Sequence, residues 1–270
     1  ITASPSQDEA KQTVILGVHT CDIAGMVCLD NANGIEPRDK NFFKRKNNFV
    51  IVGIECMEPC DEHATCVTMG THNPKGGFDV MLTEYGGSYI VQVNSGAGEK
   101  IVNESKFAFK DAESSTDDKL SKARVEKDKR WKKNLKPELD EIKGIMEKTF
   151  KSQVWEEVGK RCVSCGNCTN VCPTCYCFDV KDDVDLKIQN GERTRVWDSC
   201  QLKEFAEVAG NENFRKQRKS RQQHRFMRKF VYSVDKYNRY FCVGCGRCTR
   251  TCMAGINMYE TINALSKESV

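Results

Sequence analysis

The chain has 270 residues, a formal net charge of +4 at pH 7 and 39% hydrophobic residues. These values describe a globular protein that can bury one large core or two smaller ones, and so small a net charge points to no class of partner. No stretch approaches the roughly 20 apolar residues of a membrane helix. The polar opening after Ile1 has no apolar signal segment, so we expect a cytoplasmic protein without a membrane span.

Residues 1–105 predict a small α/β domain at the start of the chain. Residues 13–30 predict a buried strand, a turn and a short helix, and the β-branched residues 47–56 predict a second strand. Residues 78–93 predict a hairpin that turns at Gly86 and Gly87.

The segment 106–152 is highly charged and has few β-branched residues. This composition predicts a solvated helical linker of one or two exposed helices, broken near Pro137. A short amphipathic helix over residues 152–161 then leads into a third region, 153–270, which contains most of the cysteines.

Sixteen cysteines make thiol chemistry the main feature of the chain. A secreted disulfide scaffold is normally a small chain that lacks a core. This chain is long and groups its cysteines at intervals of three residues. Such close spacing favours metal ligation over disulfides.

One internal repeat contains eight of these cysteines, and both copies have the C-x2-C-x2-C-x3-C spacing of bacterial ferredoxins. In two-cluster ferredoxins each [4Fe–4S] cubane takes three thiolates from one copy and the fourth from the other. The first predicted cluster therefore uses Cys162, Cys165, Cys168 and Cys252. The second uses Cys242, Cys245, Cys248 and Cys172. A pair of zinc sites, each with four cysteine ligands, is the alternative, but zinc ribbons use separated C-x2-C pairs.

Gly166 and Gly246 follow the second cysteine of each copy. Glycine permits a tight loop whose N–H groups point at the cluster sulfides, which assigns both residues to cofactor binding. The two copies are separated by far more residues than a minimal two-cluster fold needs. The region 153–270 therefore predicts a ferredoxin-like domain with a long insertion, and the whole chain an α+β fold.

Cys175, Cys177 and Cys200 lie outside the repeat spacing. Free cysteine packs well as a small apolar residue, and this core interpretation is favoured for all three. Cys28 is interpreted in the same way because it lies mid-helix among apolar neighbours.

Residues 214–230 contain eight basic side chains and no acidic one. Phosphate binding is one interpretation, but few aromatic residues are available to stack on bases. We favour a role in offsetting the negative charge of nearby clusters, or in docking an acidic partner, over nucleic-acid binding. The basic residues are Arg215, Lys216, Arg218, Lys219, Arg221, Arg225, Arg228 and Lys229.

Four stretches of the C-terminal region occur in an order that resembles the iron–sulfur beta subunit of soluble sulfhydrogenases and the corresponding iron–sulfur subunit of anaerobic sulfite reductase. They are CVSCGNCTNVCPTCYCFDV, RTRVWDSCQLKEFAEVAG, NFRKQRKSRQQHRFMRKFVY and CVGCGRCTRTC. GVHTCD, IVGIEC and TMGT near the N-terminus are similar to the family's GVRPCD region, so the resemblance covers about residues 12 to 265. The chain departs from the family at VHT, where Arg-Pro is common, and at Cys60.

The N-terminal cysteines allow a third [4Fe–4S] cluster. Cys21 and Cys56 each end a predicted strand, and Cys60 and Cys66 follow in the next loop. If the strands are neighbours, these four thiols could converge, and the resemblance supports that arrangement. Buried cysteines in a small sheet are the alternative, and His63 in the same loop is interpreted as exposed rather than as a ligand.

The resemblance implies a subunit that relays electrons between a flavoprotein subunit, linked to NAD(P)H or ferredoxin, and a catalytic redox partner such as a NiFe hydrogenase. The same role in an anaerobic sulfite reductase or a flavin-based electron-bifurcating complex stays open. A self-contained reductase would need a second cofactor, but the sequence contains neither a G-x-G-x-x-G fingerprint nor a P-loop. We therefore expect a non-catalytic subunit, in the cytoplasm of an anaerobe because oxygen attacks exposed clusters.

Overall fold

The computed structural model describes residues 11–73, 75–132 and 135–269. They form two compact units. The N-terminal unit consists of residues 11–58 and 72–130, and the C-terminal unit of residues 59–71 and 131–269. The short segment 59–71 thus belongs to the C-terminal unit, although it lies early in the chain.

A four-stranded sheet in the order β1-β2-β3-β4 organises the N-terminal unit. Its strands are β1 (Thr13–His19), β2 (Phe49–Ile54), β3 (Val80–Tyr85) and β4 (Ser88–Val93). The pairs β1–β2 and β2–β3 are parallel, and β3–β4 is antiparallel. The predicted hairpin at Gly86 and Gly87 is confirmed, with Tyr85 paired to Ser88 across the turn.

Four helices accompany this sheet: α1 (Thr20–Gly34), α2 (Lys40–Lys46), α3 (Gly96–Glu104) and α4 (Thr116–Asp128). Helix α1 begins directly after β1, and its Ile23 packs with Val18, Ile51 and Met81 in a small core. Cys28 is 1% exposed, which confirms its interpretation as a core residue.

A buried ion pair joins α4 to the end of β2. Lys127 Nζ lies 2.5 Å from Glu55 Oε1, and both side chains are fully buried. Arg124 and Thr83 also donate hydrogen bonds to the Glu55 carboxylate. Burial alone would raise the pKa of Glu55, but the hydrogen bonds from Arg124 and Lys127 outweigh it and lower the pKa.

Helices form the core of the C-terminal unit. They are α5 (Glu141–Lys148), α6 (Val154–Arg161), α7 (Asn167–Asn170), α8 (Arg218–Phe230), α9 (Tyr232–Tyr237), α10 (Arg247–Arg250) and α11 (Met258–Glu268). Ile142, Trp155, Phe226 and Ile262 lie in one apolar cluster, so the sequence-distant helices α5, α6, α8 and α11 bury a common core. Cys242 and Cys248 pack against this core.

The insertion between the two cysteine motifs contains two small antiparallel sheets. Strands β5 (Phe178–Val184) and β6 (Gly191–Trp197) form an exposed hairpin, and β7 (Glu207–Val208) pairs with β8 (Glu212–Asn213). None of the helices in the described part of the chain combines the length and apolar character needed to cross a membrane.

Candidate metal centre

The two cysteine motifs fold into the same local structure. Gly166 and Gly246 have φ of +79° and +70°, a left-handed conformation that glycine adopts without strain, and each lies immediately before a one-turn helix. The third cysteine of each motif lies in that helix, which is α7 for Cys168 and α10 for Cys248. The sequence repeat is therefore also a structural repeat.

Motif cysteines from both repeats line one cavity. It contains Cys162, Cys165 and Cys168 from the first motif, together with Cys252 from the second. Asn167 lines the same cavity, and its Nδ2 donates a hydrogen bond to the backbone carbonyl of residue 251 across the two motifs at 3.3 Å. Four thiols around one cavity are the donor set that a [4Fe–4S] cubane takes, so these residues fit the group.

Hydrogen-bond donors point at two sulfurs of this cavity. The Gln222 side-chain amide lies 3.0 Å from Cys162 Sγ, and the Ser164 N–H lies 3.4 Å from the same sulfur. The Ile256 N–H donates to Cys252 Sγ at 3.2 Å. Donors of this kind stabilise thiolate charge.

Cys172 lies with the cysteines of the second motif. It is close enough to Cys242 and Cys245 for their charges to repel, which contributes to the raised pKa values of both thiols. Two polar groups contact Cys172 Sγ: Lys229 Nζ at 3.2 Å and the Thr174 hydroxyl at 3.3 Å.

Among the motif cysteines whose thiol pKa is shifted, most have a raised pKa. Burial raises the pKa of Cys168 to about 11, that of Cys242 to about 11 and that of Cys245 to about 12. Cys172 differs, because its contact with the Cys175 thiol and the charge of a nearby lysine lower its pKa against the effect of burial. A thiol must lose its proton to ligate iron, so metal binding at these cysteines would release protons.

Most of the basic segment, from Arg218 to Phe230, forms helix α8, and one face of that helix is buried. Arg221, Arg225 and Lys229 recur every four residues and are only 4%, 4% and 5% exposed. Burial disfavours the charged forms of Arg225 and Lys229, but the charges of nearby cysteines outweigh it and raise both pKa values. Arg225 and Lys229 therefore lie beside the cysteine motifs rather than in the solvent.

Sequence reasoning missed the individual contacts of Gln222, Lys229 and Tyr259 with motif sulfurs. The i, i+4, i+8 spacing of Arg221, Arg225 and Lys229 was the available signal for a common buried face. Nothing in the sequence identified Tyr259, which lies on α11 with its Oη 3.4 Å from Cys242 Sγ.

The segment 59–71 packs on the loop of the second motif. The Thr65 N–H donates to the Gly244 carbonyl at 2.7 Å, and the Thr71 hydroxyl donates to the Val243 carbonyl at 2.6 Å. A Cβ on Gly244 would lie 2.6 Å from the Cys66 backbone, so these two loops are in direct contact.

The four cysteines of the predicted third cluster are divided between the two units. Cys21 and Cys56 belong to the N-terminal unit, and Cys60 and Cys66 to the segment 59–71 of the C-terminal unit. This cluster stays a prediction. His63, in the same segment, is half-buried with its Nε2 3.8 Å from a glutamate oxygen.

Cys175, Cys177 and Cys200 line a second cavity, of about 340 Å³. Cys200 is buried, whereas Cys175 and Cys177 are half-buried. Helix α8 contributes His224 and Arg225 to the lining of the same cavity. Among the described residues, no group of three or more His, Cys, Asp or Glu side chains is arranged to hold a single metal ion.

A family model of the 4Fe-4S dicluster domain matches residues 161–256. Sulfhydrogenase 2 subunit beta of Pyrococcus furiosus is 36% identical to the chain over 253 residues, which are 93% of this chain and 73% of that protein. The chain belongs to the sulfhydrogenase beta subunit family. No solved structure matches it.

Membership of the sulfhydrogenase beta subunit family confirms the resemblance seen in the four C-terminal stretches. The dicluster domain indicates iron–sulfur clusters and spans both cysteine motifs. An iron–sulfur protein with a ferredoxin-like C-terminal domain is therefore supported by sequence, family and fold together.

Proposed function

We propose that this chain is the iron–sulfur relay subunit of a multi-subunit oxidoreductase. In this proposal a flavoprotein subunit supplies single electrons, and a catalytic redox partner such as a NiFe hydrogenase consumes them. The main supporting observation is that Cys252 of the second motif lines one cavity with Cys162, Cys165 and Cys168 of the first. That exchange of one ligand is the arrangement of two-cluster ferredoxins.

Each proposed cluster takes four thiolates from the chain. The proposed ligands of the first cluster are Cys162, Cys165, Cys168 and Cys252. Those of the second cluster are Cys242, Cys245, Cys248 and Cys172. A [4Fe–4S] cluster, when bound, accepts and donates one electron at a time. The chain supplies the thiolates, the tight glycine loops and the surrounding charges.

Helix α8 tunes both sites in this proposal. Gln222 donates to Cys162 of the first set, and Lys229 donates to Cys172 of the second. Cationic and hydrogen-bonding groups near the thiolates stabilise the more negative, reduced state. The buried face of α8 also argues against nucleic acid, because phosphates would not reach its buried cations.

A third cluster on Cys21, Cys56, Cys60 and Cys66 is part of the proposal. Two of its proposed ligands, Cys60 and Cys66, belong to the segment 59–71, which hydrogen-bonds to the second motif loop.

The proposed partners are inferred from the similar protein of known name, not from the geometry of this chain. The relative from Pyrococcus furiosus is named as a beta subunit, so that protein is one component of a larger assembly. We extend this to the present chain, and place the complex in the cytoplasm of an anaerobe. A sulfite reductase or an electron-bifurcating flavin complex would use the same relay.

Anaerobic co-purification tests the proposed partners. The tagged full chain, isolated from its native host without oxygen, is expected to bring down a flavin-containing subunit and a nickel–iron subunit. A sirohaem-containing partner would redirect the proposal to sulfite reduction. A chain that carries its own tightly bound flavin, or that binds DNA or RNA at physiological ionic strength, would contradict the relay role.

Iron and sulfide analysis tests the ligand sets. Two cubanes contribute about eight irons per chain and a third one about four more. The double variant Cys172→Ser/Cys252→Ser removes one proposed ligand from each motif cluster, and we expect it to lose most of the motif iron. The variant Cys28→Ser, which removes a buried thiol of the N-terminal core, is the matched control and should keep its iron. Unchanged iron in the double variant, or zinc in place of iron, would refute these ligand sets.

A further inference from the structure

The cavity beside the two motifs has features of a ligand site rather than of packed core. Its volume is about 340 Å³, which falls at the lower end of the range of small-ligand pockets. Three thiols line it, from Cys175, Cys177 and Cys200. Cysteines that served only as small core residues would be expected to fill space, not to surround it.

The chain brings these thiols together from two directions. Cys175 and Cys177 follow the first motif directly, and Cys200 arrives on the loop after β6. The Asp198 N–H donates to the Cys177 carbonyl at 3.1 Å, which holds that loop against the first segment. The thiols of Cys177 and Cys200 are in hydrogen-bond contact, and Cys175 contacts Cys172.

Two buried cations of α8 line the cavity, and they favour an anionic occupant there in addition to the motif thiols that they face. Arg225 is 4% exposed, and its Nε has no hydrogen-bond partner within the described residues. Lys229 is 5% exposed and lines the same cavity. Buried cations are costly unless negative charge compensates them, and an iron–sulfur cluster with its thiolates is anionic.

A fourth donor is available on α8. His224 lines the cavity one residue before Arg225. Burial and the nearby charge of Arg215 lower the pKa of His224 to about 4, so its imidazole is neutral near pH 7. Neutral imidazole replaces cysteine as an iron ligand in some iron–sulfur centres.

We propose that Cys175, Cys177, Cys200 and His224 bind an additional [4Fe–4S] cluster in the C-terminal unit, next to the second motif cluster. The inference rests on the proposed function only in assigning Cys172 to that neighbouring cluster. The Cys172–Cys175 contact places the two sites side by side, so the additional cluster would extend the relay toward the insertion hairpin β5–β6.

Iron analysis of the double variant Cys177→Ser/Cys200→Ser tests this site. The anaerobically prepared full chain is expected to lose about four irons and four sulfides relative to the wild type. The EPR signals of the other clusters should remain, and Cys28→Ser should keep the full iron content. Wild-type iron content in the double variant would overturn the inference, and so would zinc bound at these thiols.

A measurement on the wild-type chain avoids any effect of the variants on folding. Pulsed EPR of the reduced protein labelled with ¹⁵N-histidine should show a strongly coupled histidine nitrogen on one cluster. That coupling should disappear in His224→Gln and persist in His63→Gln. Absence of the coupling in the wild type would overturn the assignment of His224.

The two proposals fail in different ways. Iron loss in Cys172→Ser/Cys252→Ser with none in Cys177→Ser/Cys200→Ser would leave the relay function intact and remove the additional cluster. Iron loss only in Cys177→Ser/Cys200→Ser would leave an iron–sulfur site at the cavity and remove the two motif clusters.

Discussion

Single side chains of helix α8 contact different motif cysteines. Lys229 Nζ lies 3.2 Å from Cys172 Sγ, whereas the Gln222 amide lies 3.0 Å from Cys162 Sγ. One contact brings a full positive charge and the other a neutral hydrogen bond. Two residues seven positions apart can therefore set the potentials of two proposed clusters separately.

Replacing either donor should lower the midpoint potential of one cluster. Lys229→Met should lower that of the second motif cluster, and Gln222→Leu that of the first. A neutral hydrogen bond of about 1 kcal/mol corresponds to about 40 mV for one electron, and the loss of a charge should exceed it. EPR-monitored redox titration measures both, and each variant is the control for the other. Equal shifts of both clusters in both variants would contradict the assignment.

The buried pair Lys127–Glu55 makes a separate prediction for the N-terminal unit. Lys127→Met leaves the Glu55 carboxylate buried without its lysine, so we expect a loss of roughly 3–5 kcal/mol in the free energy of unfolding. Lys129→Met breaks the exposed pair with Glu126 and should cost less than about 1 kcal/mol. Denaturant unfolding followed by circular dichroism measures the difference, and similar losses in both would refute a buried-charge mechanism.

At the scale of the elements, helices α6 and α8 pack so closely that their point of contact has room only for glycine. A Cβ on Gly159 of α6 would lie 2.7 Å from the backbone of Lys219 on α8. Both helices border the first cluster site, because α6 ends one residue before Cys162 and α8 contains Gln222. The packing of α6 against α8 therefore places the Gln222 side-chain amide next to Cys162 Sγ.

Gly159→Ala should separate these helices. The added methyl group has no room, so we expect a destabilisation of about 1–3 kcal/mol and a weaker Gln222–Cys162 contact. Gly144→Ala, in α5 with nothing within 4 Å, is the matched control and should stabilise the protein by about 0.5–1 kcal/mol. Thermal unfolding of both variants distinguishes them, and a stabilised Gly159→Ala would show that the helices can move apart freely.

In the molecule as a whole, the C-terminal unit is assembled from distant parts of the chain. Residues 59–71 lie early in the sequence but belong to the C-terminal unit, where they hydrogen-bond to the loop at residues 243 and 244. Gly244 has a φ of +68° and lies against the Cys66 backbone. The second motif loop is therefore held by a distant segment, because Thr65 and Gly244 are 179 positions apart in sequence and Thr71 and Val243 are 172 positions apart.

Gly244→Ala should loosen the second motif without affecting the first. The added Cβ would collide with the Cys66 backbone, so we expect faster iron loss from the second cluster under chelator. Gly210→Ala introduces similar strain at φ +84° in open space, and should release iron at the wild-type rate. Equal iron release from the two variants would show that segment 59–71 does not support the loop.

Local patterns in the chain were enough to predict the repeat of eight motif cysteines, the hairpin at Gly86 and Gly87, and the family. Each of these depends on residues close together in the chain, where spacing and backbone preference act locally. The ferredoxin spacing also led us to expect Cys252 beside the first motif. Two further features became visible only in the folded chain: one face of α8 is buried beside the thiols, and Cys175, Cys177 and Cys200 line a cavity with His224. They depend on helix packing and loop contacts between residues far apart in sequence, which no local pattern encodes.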